Sequence, residues 1–457
     1  MSAALTIRNP PLPRDAEALR PTLAESHPPQ ASRQKAVVVQ SGARDAYQLA
    51  RALSEADMLE ALVTDLFWPS DRPWAELLAS YLPAGLRTIL LQRSEPMLPS
   101  RKVRLCTFTG LATLILDKLP RVPLSLRRRV TRYSDATLGR TAGRYASRTN
   151  AGLVSYSYYG YDAFSHCSRP GILFQLHPHP ASMRRILTEE LNAHPDCADS
   201  LRQEWELSLR EEDFQHLVRE TTMASYFLVA SSFTRDTLVE HGTPESAISI
   251  VPYGVDSGRF TPAPHLRSAP GSKLRLLFVG RINQRKGIKY LLEALRLLDT
   301  KNVQLTICGR VVDGLELFRL FASQVEIRPS VSATELVSAY QSADLFVFPS
   351  VAEGFGQVLL ESLACGLPIL STNRTAATDL IDHGVQGFVV EPCQPELIAE
   401  RIDWALTHRA ELVLMGQQAR VRAEQFTWQR FRSGVVEAVS GVLASQPKEA
   451  MRRRTYV

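Results

Sequence analysis

The chain has 457 residues, 45% hydrophobic and 22% charged, with a formal net charge of +6. That length exceeds what one core usually organises, so two domains of roughly 200 residues each are expected. The composition excludes a fibrous or low-complexity protein. No apolar run reaches the roughly 18–20 residues of a membrane span; the nearest, Leu105 to Leu116, contains three threonines and stops at Asp117.

The first thirty residues carry six prolines and no basic segment followed by an apolar run. Residues 1–34 therefore read as a disordered leader, not a signal peptide. The six cysteines (Cys106, Cys167, Cys197, Cys308, Cys365, Cys393) are scattered with no CxxC, as expected of reduced thiols in a cytoplasmic protein. Charge is uneven: residues 87–148 hold 14 Lys and Arg against 3 acids. Such a segment suits either an anionic membrane surface or a solvated helical face. No nucleic-acid partner is expected.

In chain order, Ala36 to Gln40 predicts a first strand, followed by Ser41-Gly42-Ala43-Arg44-Asp45, a helix from Ala46 to Ala56 and a strand from Leu62 to Leu66. Gly42 is where backbone can approach a ligand in this βαβ opening. Residues 70–150 are broken by Pro96, Pro99, Pro120 and Pro123. Leucines interleaved with arginines there, including the Arg127-Arg128-Arg129 cluster, fit either an interfacial helix or one packed on the core.

Strands at Leu153 to Tyr156 and Ile172 to Leu176 end in Tyr158-Tyr159-Gly160-Tyr161-Asp162 and His177-Pro178-His179-Pro180. Polar and aromatic residues just past strand ends are where an α/β domain places its site. With only two local histidines, no metal is assigned. Tyr226 to Ala230 and Ile248 to Val251 are further strands, and the Pro-, Gly- and Ser-rich stretch from Pro252 to Ser272 reads as an interdomain linker.

A second βαβ series begins at Leu274. Its loop Arg281 to Gly287 leads into a helix, Ile288 to Leu298; the strand Val303 to Cys308 ends at Gly309, and a strand near Val325 to Ile327 precedes a helix from Ala333 to Gln341. The stretch 344–372 then gives a buried strand, Leu345 to Phe348, the loop Glu353-Gly354-Phe355-Gly356, a helix and another short strand. Alternation of this kind requires a parallel sheet covered on both faces. The tail after residue 446 is basic.

Two cations at one strand end, Arg281 and Lys286, with a glycine loop and a helix amino terminus at another, supply what a pyrophosphate needs. Glu353 and Glu361, eight residues apart, suit sugar hydroxyls at two points of one elongated ligand, since a carboxylate beside phosphate is repelled. No Asp-x-Asp occurs, so the phosphate charge is expected to be met by protein cations and the helix dipole without a metal cofactor.

GRINQRKG, PYGVD and EGFGQVLLESLACGLPI together resemble the retaining glycosyltransferases of family 4, most specifically through the E-x7-E motif Glu353 to Glu361. The resemblance is strong over residues 226–432 and looser over 36–225. It implies an α/β GT-B fold of two Rossmann-like domains facing across a cleft: an acceptor-side domain 35–255 completed by a helix at 428–445, and a donor domain 256–427, with 446–457 as a tail. FTWQRF (Phe426 to Phe431) resembles the point of crossing back.

By position, the resemblance implies that Arg281 and Lys286 bind the donor diphosphate, Glu353 meets the transferred sugar with Gly354, Phe355, Gly356 and Gln357, and Glu361 meets the ribose. Gly42 and Gly309 fall on the donor side, and His177 near the reacting sugar; Tyr158, Tyr159 and His179 fall on the acceptor side. Glu353, His177, Lys286 and Arg281 form the expected catalytic set. The implied reaction moves a hexose-type sugar from a nucleotide-diphosphate sugar to a glycan or lipid-linked acceptor with retention, in bacterial cell-surface polysaccharide or glycolipid synthesis, in the cytoplasm or at the inner membrane face. A nucleotide-sugar epimerase on the same fold and a non-catalytic binding protein are the alternatives.

Overall fold

The computed structural model describes residues 34–445, apart from parts of 108–121 and the stretches 264–271, 299–300, 313–317, 319–320 and 322. The expected leader up to residue 33 and the tail 446–457 lie outside the described residues.

Seven strands form a first parallel sheet: β1 (Ala36–Val39), β2 (Leu59–Thr64), β3 (Val103–Leu105), β4 (Gly152–Tyr156), β5 (Gly171–Gln175), β6 (Ala224–Val229) and β7 (Ile248–Ile250), in the order β3-β2-β1-β4-β5-β6-β7. Six form a second: β8 (Leu274–Val279), β9 (Val303–Cys308), β10 (Val325–Arg328), β11 (Leu345–Phe348), β12 (Ile369–Thr372) and β13 (Gly387–Val390), in the order β10-β9-β8-β11-β12-β13. β1, β4, β11 and β12 are buried at every position, as strands covered on both faces must be. Strand order reverses between β1 and β4 and between β8 and β11, and a parallel sheet opens a crevice at such a point beyond its carboxyl ends.

Helices of eight residues or more cover the sheets. In the first half these are α1 (Gln48–Glu55), α2 (Pro73–Ser80), α3 (Ala84–Leu91), α4 (Leu124–Thr149), α5 (Pro180–Ala193), α6 (Glu211–Met223) and α7 (Ser232–Glu240). In the second they are α8 (Ile288–Leu298), α9 (Ala333–Ser342), α10 (Gln357–Ala364), α11 (Pro395–Thr407), α12 (Arg409–Ala423) and α13 (Trp428–Ser445). The last crosses back: Phe431, Val435, Val439 and Leu443 recur every four residues and are buried in the core of the first sheet, and Arg432 bonds Glu55 and Gln48 of α1 at 3.0 and 2.7 Å.

The reverse trade is made by α5 and the turns after it. Met183, Ile186, Leu187, Cys197 and Leu201 pack into the core of the second sheet. Glu190, 4% exposed, accepts hydrogen bonds there from Gln284 at 2.6 Å and from the Tyr290 hydroxyl at 3.0 Å. The two sheets are thus bound to each other by one exchanged element from each side.

Several edges differ from expectation. The predicted helix at Ala46 begins instead at Gln48, because Asp45, Ala46 and Tyr47 take left-handed backbone angles with φ of 45°, 48° and 59°. β2 starts at Leu59, three residues before the apolar run suggested. The Arg127-Arg128-Arg129 cluster is largely engaged within the molecule: Arg127 donates to the Leu119 carbonyl, and Arg128 lies 4.0 Å over the Trp205 ring and donates to the Gln203 carbonyl. Arg132, on the same helix, is buried against Asp162 and Asp213.

Candidate functional site

The carboxyl ends of both sheets face a cleft of about 560 Å³. From the first half it receives the loop after β1 through Arg44 and Asp45, and His177 just beyond β5; from the second, Gly280 beyond β8, Lys286, and the loop and first turns of α10 with Glu353, Phe355, Gly356, Gln357 and Glu361. The Rossmann-type order brings these distant segments together because every strand runs toward the same end.

The loop after β8 folds as a single tight turn, Gln284–Lys286, with Asn283 as its cap accepting from the Lys286 amide at 3.2 Å. Gly287 ends it at φ 72°, where a Cβ would stand 1.9 Å from the Pro349 carbonyl oxygen. That contact seats the turn on the loop after β11, so two adjacent cations close on one acid. Arg285 donates to Glu353 Oε2 at 2.8 Å and to the Ala352 carbonyl at 3.1 Å, and the Lys286 ammonium forms an ion pair with the same carboxylate. Arg285 also reaches across to Glu204 of the first half at 3.1 Å.

Burial opposes the charge on Glu353, but Lys286 and Arg285 beside it overcome that and hold its carboxyl well below the usual carboxylate range. Burial lowers the Lys286 ammonium to about 8, with Glu353 opposing. His177 is pushed down to about 4, chiefly by burial, so it is neutral near pH 7, and its Nδ1 is buried with no protein partner. One turn into α10, Glu361 accepts the Tyr340 hydroxyl at 2.9 Å, and burial pushes its carboxyl up. Gln357 is held by the Gly254 carbonyl at 2.7 Å, and the Phe355 ring meets Tyr253 edge-on at 5.1 Å.

The cleft therefore gathers His177, Lys286, Glu353, Phe355, Gly356, Gln357 and Glu361. Gly354 stands just behind it, where a Cβ would lie 2.0 Å from the Leu176 carbonyl oxygen, and its own carbonyl accepts from Ser231 at 2.6 Å. Arg281 is exposed and is not among the lining residues. Gly42 gives its amide to Asp65 at 2.9 Å beside the Arg93 guanidinium. Gly309 packs against the Gly280 backbone.

Tyr158 and Tyr159 form a layer behind the wall. The Tyr158 ring is 6.0 Å from His177, and the Tyr159 hydroxyl accepts from Arg44 at 3.3 Å. His179 points elsewhere. It is 3% exposed, caps α5 by accepting from the Ala181 amide at 3.2 Å, meets Thr221, and stacks on His241 at 3.9 Å.

Asp45 and Arg285 are site groups that the sequence did not single out. Asp45 Oδ2 accepts the Tyr156 hydroxyl at 2.6 Å, while Oδ1 is buried without a protein partner. Burial pushes this carboxyl up to about 7. The available signal was an adjacent Arg-Asp pair just past the first strand's end. For Arg285 it was the second cation beside Lys286.

Residues 267–422 match the family model described as glycosyl transferases group 1. A D-inositol 3-phosphate glycosyltransferase of Paenarthrobacter aurescens is 33% identical over 256 residues, 51% of this chain and 62% of that protein. A capsular polysaccharide biosynthesis glycosyltransferase, CapM, of Staphylococcus aureus is 32% identical over 172 residues, 34% of this chain and 44% of that one. The chain thus spans less than two thirds of the length of these relatives. Among solved structures, sucrose-phosphate synthase from Thermosynechococcus elongatus superposes with a TM-score of 0.60 at 17% identity, covering 91% of this chain and all of that one. Residues 267–422 are thus similar to the glycosyl transferases group 1 family, and they lie in a chain with an α/β GT-B fold of two Rossmann-like sheets.

Proposed function

We propose that the protein is a retaining hexosyltransferase that moves a sugar from a nucleotide-diphosphate sugar to a glycan or lipid-linked acceptor, in the synthesis of a bacterial cell-surface polysaccharide or glycolipid. The observation that carries this reading is the Lys286–Glu353–Arg285 cluster at the carboxyl ends of one sheet, facing His177 and Asp45 at the ends of the other. The name of the S. aureus relative supports the pathway class.

In this reading the diphosphate lies between Lys286 and the amino terminus of α10, with Arg281 reaching it from the rim; charge-assisted bonds of this type contribute about 1.5–3 kcal/mol each. Glu361 takes the ribose hydroxyls, Glu353 a hydroxyl of the sugar, and neutral His177 a hydroxyl near the anomeric carbon. Protein cations meet the charge that develops on the departing diphosphate, so no metal is needed. Holding the acceptor on the face that the diphosphate leaves gives retention, through an oxocarbenium-like state.

The test is a screen of nucleotide-sugars by thermal shift, then product analysis with the donor found. A true donor at 100 times its dissociation constant adds about 2.7 kcal/mol of stability. Anomeric configuration read by NMR should match that of the donor, and excess EDTA should leave the rate unchanged. Inversion, isomerisation of the donor without transfer, or a rate abolished by EDTA and restored by a divalent cation would each defeat the corresponding part of the reading.

A further inference from the structure

On most surface helices the apolar stripe faces the core. On α2 it faces water. Trp74, Leu77, Leu78 and Tyr81 recur at the i, i+3, i+4, i+7 spacing of one helical face and are 55%, 62%, 48% and 79% exposed, whereas Ala75 and Ala79 between them are buried. An outward stripe of this size on a soluble surface marks a contact with something apolar.

The stripe's place in the fold is fixed by its base. Helices α2 and α3 form a pair inserted after the carboxyl end of β2, the end that faces the cleft. The Trp68 amide donates to the Arg93 carbonyl at 2.7 Å, and Arg93 pairs with Asp65 at 2.8 Å, closing the pair's two ends together beside the loop after β1. Arg87 on α3 and Arg101 beyond it are exposed, and the Ser100 amide donates to the Asp71 carboxylate at 2.9 Å. Cations beside an apolar stripe complement an anionic lipid surface. Aromatic rings with a polar tip, such as Trp74 and Tyr81, suit the boundary between head groups and acyl chains.

We propose that the α2–α3 pair is a membrane-docking surface that seats this protein on an anionic bilayer with the cleft at the lipid face. The docking stands independently of the transfer reading, and only the corollary that the acceptor is lipid-linked rests on it. The surface differs from the basic cluster at 127–129, whose arginines are largely engaged internally.

The test is flotation of the full chain with vesicles of phosphatidylglycerol and phosphatidylethanolamine, without donor, alongside quenching of tryptophan fluorescence by brominated lipid. Wild type should float and be quenched; Trp74→Phe should still float but lose most of the quenching. Leu77→Ser with Tyr81→Ser, both exposed positions, should lower vesicle partitioning about tenfold or more with an unchanged melting temperature. The proposal is overturned if wild type does not float, if the double variant floats equally well, or if quenching is unaffected by Trp74→Phe. It is also overturned if the double variant abolishes a wild-type dimer seen without lipid, which would give the face to a second copy.

Discussion

Lys286 and Arg285 share one acid, and that decides which of them is the informative substitution. Removing Glu353 leaves the Lys286 ammonium buried without its carboxylate while Arg285 keeps Glu204, an expected loss of about 3–5 kcal/mol that confounds any activity assay. Lys286→Ala leaves Arg285 to neutralise Glu353, so the variant should fold while turnover falls by about 10²–10³, comparable to losing an oxyanion donor. Because burial has lowered the ammonium to about 8, donor kcat/KM should fall about tenfold per unit as pH rises above that value. Lys286→Arg keeps its charge and should remove this limb. A pH profile identical in wild type and Lys286→Arg would assign the titration elsewhere.

A second residue reports through stability. Burial pushes the Asp135 carboxyl up to about 7, against the opposing pull of Arg132 and Arg44. Its folded pKa lies above the unfolded one, so its contribution is complete below about pH 4 and is lost as pH rises to about 7. Asp135→Asn does not titrate. Relative to wild type it should gain stability progressively across that window, on the order of 4 kcal/mol at the top, read as the difference between two melting curves.

At the scale of elements, α13 belongs to a sheet encoded almost 400 residues earlier. Phe431 is 1% exposed in the core of that sheet, so Phe431→Ala should lower stability by about 3–5 kcal/mol; proteolysis should then cut first within 36–250, not within the second sheet. Elements were legible where local pattern and tertiary environment agree. Apolar runs such as LFVF and AVVV marked strands buried on both faces, whereas the crossing at FTWQRF was expected only from the family resemblance.

The sequence was opaque where environment overrides pattern. β3 is three residues, Val-Arg-Leu, two of them exposed and the third half-buried, and gives no periodic signal. The outward stripe on α2 has the same spacing as an inward one, and spacing does not say which side is wet. In the site, Glu353, Lys286 and Glu361 stood out by spacing and chemistry. Arg285 did not, because adjacent cations ordinarily point apart and only the tight turn before Gly287 makes them converge. Asp45 depends on three successive left-handed residues that no propensity foretells.

At the scale of the whole molecule, Gly354 stands tightly against the end of β5, where the two halves meet. A methyl group there would meet the Leu176 carbonyl oxygen at 2.0 Å, so Gly354→Ala should hold the halves apart. Lys286, Gln357 and Glu361 all sit on the second half. Donor binding by thermal shift should therefore survive, while transfer is lost and the radius of gyration increases. Loss of donor binding together with transfer would mean that the donor needs both walls.

The exchange of α13 also has a consequence for synthesis. On the ribosome the first sheet is complete once residue 250 has emerged, but the helix that covers one of its faces is still nearly 180 residues from being made. That face must wait, exposed, while the second half is translated and folds. The first half therefore cannot finish folding before the second has been made, and nascent chains stalled anywhere before residue 428 should bind trigger-type chaperones more strongly than the released protein does.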